Sequence, residues 1–176
     1  RTMAWNDACQ LIGPSSVYAH GITDRELASR GVMGCCGAEV EVDVETGRIR
    51  VVRMVSIQDC GLVVNHLAVE AQILSGMVMG LSFALFEDRI MDPLQGFQLN
   101  GDLEFYKMAT AMDVGELVPI VWMERDSLEE GIKGVGQAPM IPVAAAIGNA
   151  VKNALGVGVN RLPMTPRRVL EALHGV

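Results

Sequence analysis

A glycine-rich loop at residues 131–139, reading Gly-Ile-Lys-Gly-Val-Gly-Gln-Ala-Pro, is the stretch of this chain best suited to chemistry. Its glycines let a main chain approach a ligand closely, and it adds one cation, Lys133, and one amide side chain, Gln137. Pro139 and Pro142 keep a helix from beginning until the loop is complete. We expect the loop to present a ligand-binding group, although from the loop alone a structural turn is the favoured interpretation.

Two familiar nucleotide-binding loops do not fit this spacing. A dinucleotide-binding fingerprint requires a third glycine where Pro139 stands. A P-loop places its lysine after its glycines, whereas Lys133 precedes Gly134 and Gly136. Both interpretations are therefore excluded.

Length and composition describe an acidic globular domain. The 176 residues are enough for one hydrophobic core, and a net charge of −7 at pH 7 argues against nucleic acid as a partner. The chain starts at Arg1 without an initiator methionine, so we expect it to be part of a larger protein. The most apolar run, residues 73–86, is shorter than the roughly 20 residues of a membrane-spanning helix, so no membrane span is expected.

The four cysteines are Cys9, Cys35, Cys36 and Cys60, and no two have C-x-x-C spacing. This argues against an iron–sulfur cluster or a zinc ribbon built by this chain. We expect reduced cysteines that pack as small buried hydrophobic residues, in a cytoplasmic protein.

The clearest local structure is a β-hairpin. Val40, Val42 and Val44 alternate with acidic residues, which is typical of a half-buried strand from residue 38 onward. A turn containing Gly47 leads into a second strand over residues 49–57. The acidic residues are expected to form the solvated face of the hairpin and not a metal site.

A long helix is predicted over residues 67–86, and it is apolar on nearly every side, so we expect it to be buried. Gly76 and Gly80 form a face that another backbone can approach closely. Gln72 is the exception, because a buried glutamine without a hydrogen-bond partner costs roughly 1–3 kcal/mol. Its partner is either backbone or a ligand.

Asp59 ends the second strand and Asn65 precedes the long helix. Each can cap the helix start or bind a ligand, and capping is the simpler interpretation. Further short strands are predicted within residues 87–98 and over residues 118–124.

Two helices are predicted near the C-terminus. The first covers residues 143–155 and ends at Gly156, and the second follows Thr165 as N-cap, with Pro166 at its first position. The elements together predict a mixed α/β fold: a β-hairpin and short strands packed with one long buried helix and two C-terminal helices. We divide the chain into an irregular N-terminal segment (1–36) and a domain portion (37–176).

Five motifs over residues 37–173 resemble, in this order, the C-terminal part of the molybdenum-binding large subunit of the xanthine dehydrogenase and aldehyde oxidoreductase family. They are Glu41-Val42-Asp43 with Thr46-Gly47, Asp59-Cys60-Gly61 with Asn65, Gln72 ahead of Gly76 and Gly80, Lys133-Gly134-Val135-Gly136, and Leu162-Pro163-Met164-Thr165-Pro166. Each motif alone is weak, but the ordered set is specific.

The resemblance implies a domain that holds one side of a molybdopterin cofactor, usually the cytosine dinucleotide form in bacterial members, with no side chain bound directly to molybdenum. It implies that Gln72 hydrogen-bonds the cofactor near the metal and that the loop 133–136 lies beside the molybdenum. It also implies that Asp59 and Asn65 lie near the pyrophosphate or nucleotide end.

The same resemblance implies partners. Electrons leave such enzymes through iron–sulfur and usually FAD centres, for which this chain has no ligands, so partner subunits or domains should carry them. The remaining part of the molybdenum subunit and a small-molecule substrate complete the expected assembly. The expected activity is oxidation of an aldehyde or N-heterocycle, with none expected from this chain alone.

Gln137 departs from the family's pattern, because that position is normally a glutamate acting as the general base. An amide has no basic site at neutral pH, and general-base catalysis contributes about 10²–10⁴-fold, so ordinary hydroxylase chemistry should be weakened. Three explanations stay open: an inactivating substitution, natural or engineered; a reaction that needs no carboxylate there; or another residue as the base. The competing class is a structural paralogue without the cofactor.

Overall fold

The protein is a two-layer α/β structure, seen in a computed structural model that describes residues 2–14, 16–22, 31–123 and 131–175. Within these residues one sheet has the strand order β1 (Gly34–Val42), β2 (Ile49–Asp59), β3 (Glu116–Trp122). The helices are α1 (Trp5–Ile12), α2 (His66–Leu85), α3 (Val143–Leu155) and α4 (Pro166–His174). The predicted mixed α/β fold class is confirmed.

The predicted hairpin is confirmed as the antiparallel pair β1 and β2. Asp43 organises its turn, because one carboxylate oxygen accepts the amide of Glu45 at 3.0 Å and the other accepts the hydroxyl of Thr46 at 2.7 Å. The first strand begins earlier than expected, at Gly34, where a Cβ atom would lie 2.5 Å from Gln58 Oε1. The absence of a side chain there lets the two strands pair to their ends.

The segment 1–36 contains α1, which ends at Gly13 with a φ of 63°, and the first residues of β1. The boundary placed at residue 37 stays a prediction.

Strand β3 runs parallel to β2, with Arg53 opposite Glu116 and Asp59 opposite Trp122. It matches the strand predicted from residue 118, whose last predicted residue, 124, lies outside the described residues. Because β2 and β3 are parallel, their carboxyl ends meet at one edge of the sheet. Helix α2 lies in the connection between them.

Helix α2 packs on the sheet and on α3, and this contact forms the core. Its buried side chains join those of β2 and α3, together with one residue that follows α3: Val51, Met54, Ile73, Met77, Leu81, Ala84, Leu85, Val143, Ile147, Val151 and Met164. The expectation that α2 is buried all round is wrong for its opposite face, where Leu67, Met79 and Phe83 are at least half exposed. The described residues cover only one side of the helix.

The 20 residues of α2 also make it long and apolar enough to cross a membrane by length and composition alone. The apolar run 73–86, on which the expectation of no membrane span was based, is shorter than the helix itself, which begins at His66. Its packing against the sheet and α3 is what a core helix shows, and the same composition serves that role equally well.

Gly76 and Gly80 allow the predicted close approach. A Cβ atom at Gly76 would lie 2.7 Å from Pro139 and 2.9 Å from the amide nitrogen of Met140, and one at Gly80 would lie 2.5 Å from Val143. The start of α3 and the chain before it therefore rest directly on α2.

The strand predicted within residues 87–98 is wrong, since only an isolated bridge joins Met91 and Gln98. The Asp92 carboxylate accepts the amide of Leu94 at 2.8 Å, and the side chain of Asn100 accepts the amide of Ile90 at 2.9 Å. These side chains take backbone groups that a strand would pair with a neighbour.

The cysteine prediction holds for Cys60, which is buried, and is wrong for Cys9 and Cys35, which are exposed.

The predicted ends of the last two helices are confirmed: α3 ends at Gly156 with a φ of 73°, and Thr165 caps α4 by accepting the amide of Arg168.

Gly76→Ala should destabilise the protein. Alanine is about 1 kcal/mol better than glycine within a helix, but overpacking against the backbone of Pro139 and Met140 costs about 1–3 kcal/mol, so we expect a net loss of about 1 kcal/mol. Gly148→Ala is the matched control, because Gly148 lies in α3 and a Cβ atom added there would meet nothing within 4 Å. Chemical unfolding should show the control unchanged or stabilised; equal effects of both variants would contradict the packing explanation.

Candidate functional site

The glycine loop lies against the chain that leaves β2. Gly61 and Ile132 form an isolated antiparallel bridge, the amide of Leu62 donates to Gly131 at 2.9 Å, and the amide of Lys133 donates to Cys60 at 3.0 Å. The loop is therefore joined by backbone hydrogen bonds to the edge where β2 and β3 end. Carboxyl ends of parallel strands are the usual place for ligands in α/β sheets.

Two glycines make this junction possible. Gly61 has a φ of 65°, and a Cβ atom there would collide with the carbonyl oxygen of Gly131, which itself has a φ of 73°. A larger residue at Gly61 would push the two segments apart, so the motif glycine after Asp59 is required by the fold.

A buried ion pair reinforces the junction. Lys133 Nζ lies 2.7 Å from Asp59 Oδ2, with only 7% and 10% of the two side chains exposed, and the amide of Gly61 donates to Asp59 Oδ1 at 2.8 Å. Burial by itself would raise the pKa of Asp59, but the hydrogen bonds from Lys133 and Gly61 and the charge of Lys133 hold it below its ordinary value of 3.8. Burial raises the pKa of the neighbouring Cys60 thiol, which favours its protonated form.

The middle of the loop faces outward. A Cβ atom at Gly134 or Gly136 would meet nothing within 4 Å, and Gln137 is exposed. Among the described residues, the amides of Gly134, Val135, Gly136 and Gln137 have no hydrogen-bond acceptor. The loop thus has four consecutive backbone N–H groups without a partner among the described residues, and such groups can bind oxygen-rich ligands.

After this open stretch the loop turns back to the core. The amide of Met140 donates to the carbonyl oxygen of Gln137 at 3.0 Å, Pro139 is buried, and α3 begins at Val143, as the prolines predicted. The loop is consequently held on both sides of residues 134–137.

Gln72 lies on the exposed part of α2, so the expected desolvation cost of a buried glutamine does not apply in the described structure. Its position is still informative. Gly80 meets Val143 and Gly76 meets Pro139, so α2 and the loop run in the same direction along this contact. Gln72 lies about one turn before Gly76, toward the start of α2.

Asn65 caps α2, because its side-chain oxygen accepts the amide of Ala68 at 3.1 Å. The capping interpretation is thus confirmed, and a ligand role for Asn65 stays a prediction. Asp59 does not cap the helix, since its carboxylate binds Lys133 and Gly61.

A cavity of about 280 Å³ borders the same edge of the sheet, with Asp59 and Trp122 in its wall. A larger cavity of about 560 Å³ lies between the hairpin turn and the start of α4, and none of residues 131–142 lines it. Within the described ranges no group of three or more His, Cys, Asp or Glu residues could hold a metal ion.

The comparison with known proteins agrees with the motifs. The sequence profile of the molybdopterin cofactor-binding domain matches residues 9–115. The xanthine dehydrogenase molybdenum-binding subunit of Escherichia coli O157:H7 is 40% identical over 142 residues, which cover 80% of this chain and 19% of that relative.

Two solved structures share the fold. Aldehyde oxidoreductase from Desulfovibrio gigas superposes with a TM-score of 0.71 at 34% identity, covering 81% of this chain and 15% of that one. Quinoline 2-oxidoreductase from Pseudomonas putida 86 gives a TM-score of 0.69 at 29% identity, covering 77% and 18%.

This chain belongs to the molybdopterin-binding domains of the xanthine dehydrogenase and aldehyde oxidoreductase family, whose members are molybdenum oxidoreductases. It spans less than a fifth of the length of each of these relatives.

The stability that Asp59 provides should depend on pH. Its folded-state pKa is below 3.8, so its stabilisation is complete above about pH 5 and is lost as the pH falls below its ordinary value toward the lower folded-state value. The excess stability of the wild type over Asp59→Asn should be constant between about pH 5 and 7 and shrink below about pH 4. Urea unfolding at a series of pH values measures this difference.

Glu41→Gln is the control for this prediction. It removes an ion pair with Arg50 in which both side chains are more than 60% exposed, so it should change the free energy of unfolding by less than about 1 kcal/mol. A wild-type excess over Asp59→Asn that persists undiminished to about pH 3 would contradict the assignment.

Proposed function

We propose that this chain forms one wall of the molybdopterin site in a molybdenum hydroxylase-type oxidoreductase, with altered or impaired chemistry at Gln137. One observation carries the proposal: residues 134–137 present four amides that no acceptor in the described part of the chain pairs, on an open glycine surface whose two flanks are fixed to the core.

The described residues fit such a cofactor. Gly134 and Gly136 leave room for an organic group to contact the main chain, and the four amides are donors for its oxygen or sulfur atoms. Gln72 offers a carbonyl and an NH₂ group from the neighbouring end of α2. When bound, the molybdenum cofactor would supply two-electron oxidation of a substrate carbon with oxygen derived from water.

Asn65 has a remaining role in this proposal. Its side-chain oxygen is used in capping α2, but the residue is exposed and its side-chain NH₂ group can donate to the phosphate or nucleotide part of a dinucleotide cofactor. A cytosine dinucleotide form is the one we propose, from the family resemblance.

In this proposal Gln137 faces the reacting groups, but its side chain cannot take a proton. It is exposed next to the open amides, and its side chain offers only an amide carbonyl and an NH₂ group. It can orient a substrate or a water by hydrogen bonds. An inactivating substitution, a reaction without a carboxylate base, and a base from elsewhere in the assembly are all compatible with this position.

The substrate class we propose is an aldehyde or an N-heterocycle, following the activities after which two of the relatives are named, an aldehyde oxidoreductase and a quinoline 2-oxidoreductase. The matched relative in Escherichia coli is a molybdenum-binding subunit, which supports an assembly of several subunits. We propose cytoplasmic partners that carry iron–sulfur clusters and FAD, together with the rest of the molybdenum subunit.

Gln137→Glu in the complete assembly should raise the rate of aldehyde or N-heterocycle oxidation by about 10²–10⁴-fold, because a carboxylate can accept the proton that an amide cannot. Steady-state rates across a panel of both substrate classes measure the gain. Gln95→Glu, in the turn after Asp92, adds the same charge outside the loop and should leave the rates unchanged. No gain for any substrate would refute the impaired-base explanation.

A non-catalytic paralogue that has lost the cofactor is the second candidate, supported by the missing carboxylate at Gln137. Metal analysis of the purified assembly separates the two. We expect close to one molybdenum per molybdenum-binding subunit and a fluorescent pterin released on denaturation. An assembly that contains neither would favour the paralogue and contradict the proposed function.

A further inference from the structure

The larger cavity, of about 560 Å³, lies at the opposite end of β2 from the glycine loop. Ile49, the first residue of β2, lines it, whereas the loop is bonded to Cys60, just after the last residue of the strand. A strand of 11 residues spans roughly 33 Å. The cavity is therefore well separated from the candidate functional site.

One wall of this cavity is apolar and continuous with the core. Leu85 and Met164 are buried core residues, and Ile49 and Phe86 pack against the core. Met112, which also lines the cavity, is 93% exposed. The volume is within the range of roughly 300–1,000 Å³ that small-molecule sites occupy. This wall can accommodate the hydrocarbon or aromatic part of a ligand.

Two carboxylates in the cavity wall are already satisfied by the chain itself. Asp43 accepts the amide of Glu45 at 3.0 Å and the hydroxyl of Thr46 at 2.7 Å. Asp113 accepts the amide of Thr110 at 2.9 Å and its hydroxyl at 2.8 Å. These hydrogen bonds favour the ionised form of both carboxylates. The two aspartates thus add negative charge but little unused binding capacity.

The three basic residues of the wall differ in their availability. Lys107 Nζ lies 2.8 Å from Asp113 Oδ2, and Arg50 donates to Glu41 through Nε at 3.0 Å and Nη2 at 2.6 Å. The guanidinium of Arg48 makes no hydrogen bond or ion pair with any residue that the structure describes. The polar group still open to a ligand at this cavity is therefore a cation.

We propose that the cavity binds a small amphipathic carboxylate, whose carboxylate pairs with Arg48 and whose apolar body lies against Leu85, Phe86 and Met164. The planar guanidinium matches the two oxygens of a carboxylate. The charges of Asp43 and Asp113 disfavour a doubly charged group such as phosphate. Binding here requires neither molybdenum nor the glycine loop, so its test is independent of the proposed function.

Titration of the complete assembly with an octanoate that carries a terminal trifluoromethyl group, followed by fluorine NMR, tests the proposal. We expect binding that unlabelled octanoate displaces. Arg48→Met should weaken this binding by at least about tenfold, because a hydrogen-bonded charge pair is lost. Arg48 is exposed, so the variant should fold normally. Arg161→Met is the matched control and should leave the affinity unchanged, since Arg161 is also exposed but does not line the cavity.

A second pair of variants tests the location without touching Arg48. Met112→Glu places another negative charge at an exposed position of the wall and should weaken binding, whereas Met112→Gln should have a much smaller effect.

Competing ligands test the two halves of the proposed ligand separately. Octanamide lacks the charge, and butyrate lacks four of the methylene groups of octanoate. Each should compete at least about tenfold less well than octanoate, because charge pairing and burial of methylene groups both contribute.

Unchanged affinity in Arg48→Met would place the probe at another site and overturn the proposal. Butyrate that competes as well as octanoate would also overturn it, because the apolar wall would then contribute nothing. Inorganic phosphate that displaces the probe as well as octanoate does would reject the carboxylate as the ligand class. A wild-type assembly that shows no displaceable binding would reject the site itself.

Discussion

The contact between α2 and the chain entering α3 is the constraint on which the rest of the site depends. Gly76 and Gly80 have no side chains, so Pro139, Met140 and Val143 rest directly on the helix. This contact fixes the path of the chain before α3. The glycine loop can only lie where that path meets the ends of β2 and β3.

The loop is held by two different physical means. On the side that leads to α3 the hold is apolar packing, with Pro139 buried against α2. On the side that leads from β3 it is directional: backbone hydrogen bonds to Cys60 and Leu62 and the buried pair of Asp59 and Lys133. Residues 134–137 lie between these two attachments. Rigid flanks with an open centre give a main chain that can bind without first having to be ordered.

Local signals predicted much of the fold. The hairpin, both C-terminal helices and the caps at Asn65 and Thr165 were all readable because each depends on residues within a few positions. The strand predicted before residue 98 failed for an equally local reason, the side-chain bonds of Asp92 and Asn100, which hydrophobic alternation does not reveal.

The site was predicted only in part, because its geometry depends on contacts between distant segments. Periodicity showed that α2 is apolar, but it could not show that one face stays uncovered by the described residues and that Gln72 lies there. The motifs and the family resemblance pointed to Asp59 and Lys133 but could not show that they bind each other. The glycines at 61 and 131 were the available clue, since two glycines far apart in sequence are what a close backbone junction requires.

Asp59 and Lys133 are separated by 74 positions in the sequence. During synthesis the hairpin and α2 can form well before Lys133 has left the ribosome, but the loop cannot join the end of β2 until then. The junction can consequently close only later in synthesis than the hairpin and α2. In the proposed function, the cofactor can bind only to a chain in which this junction has closed.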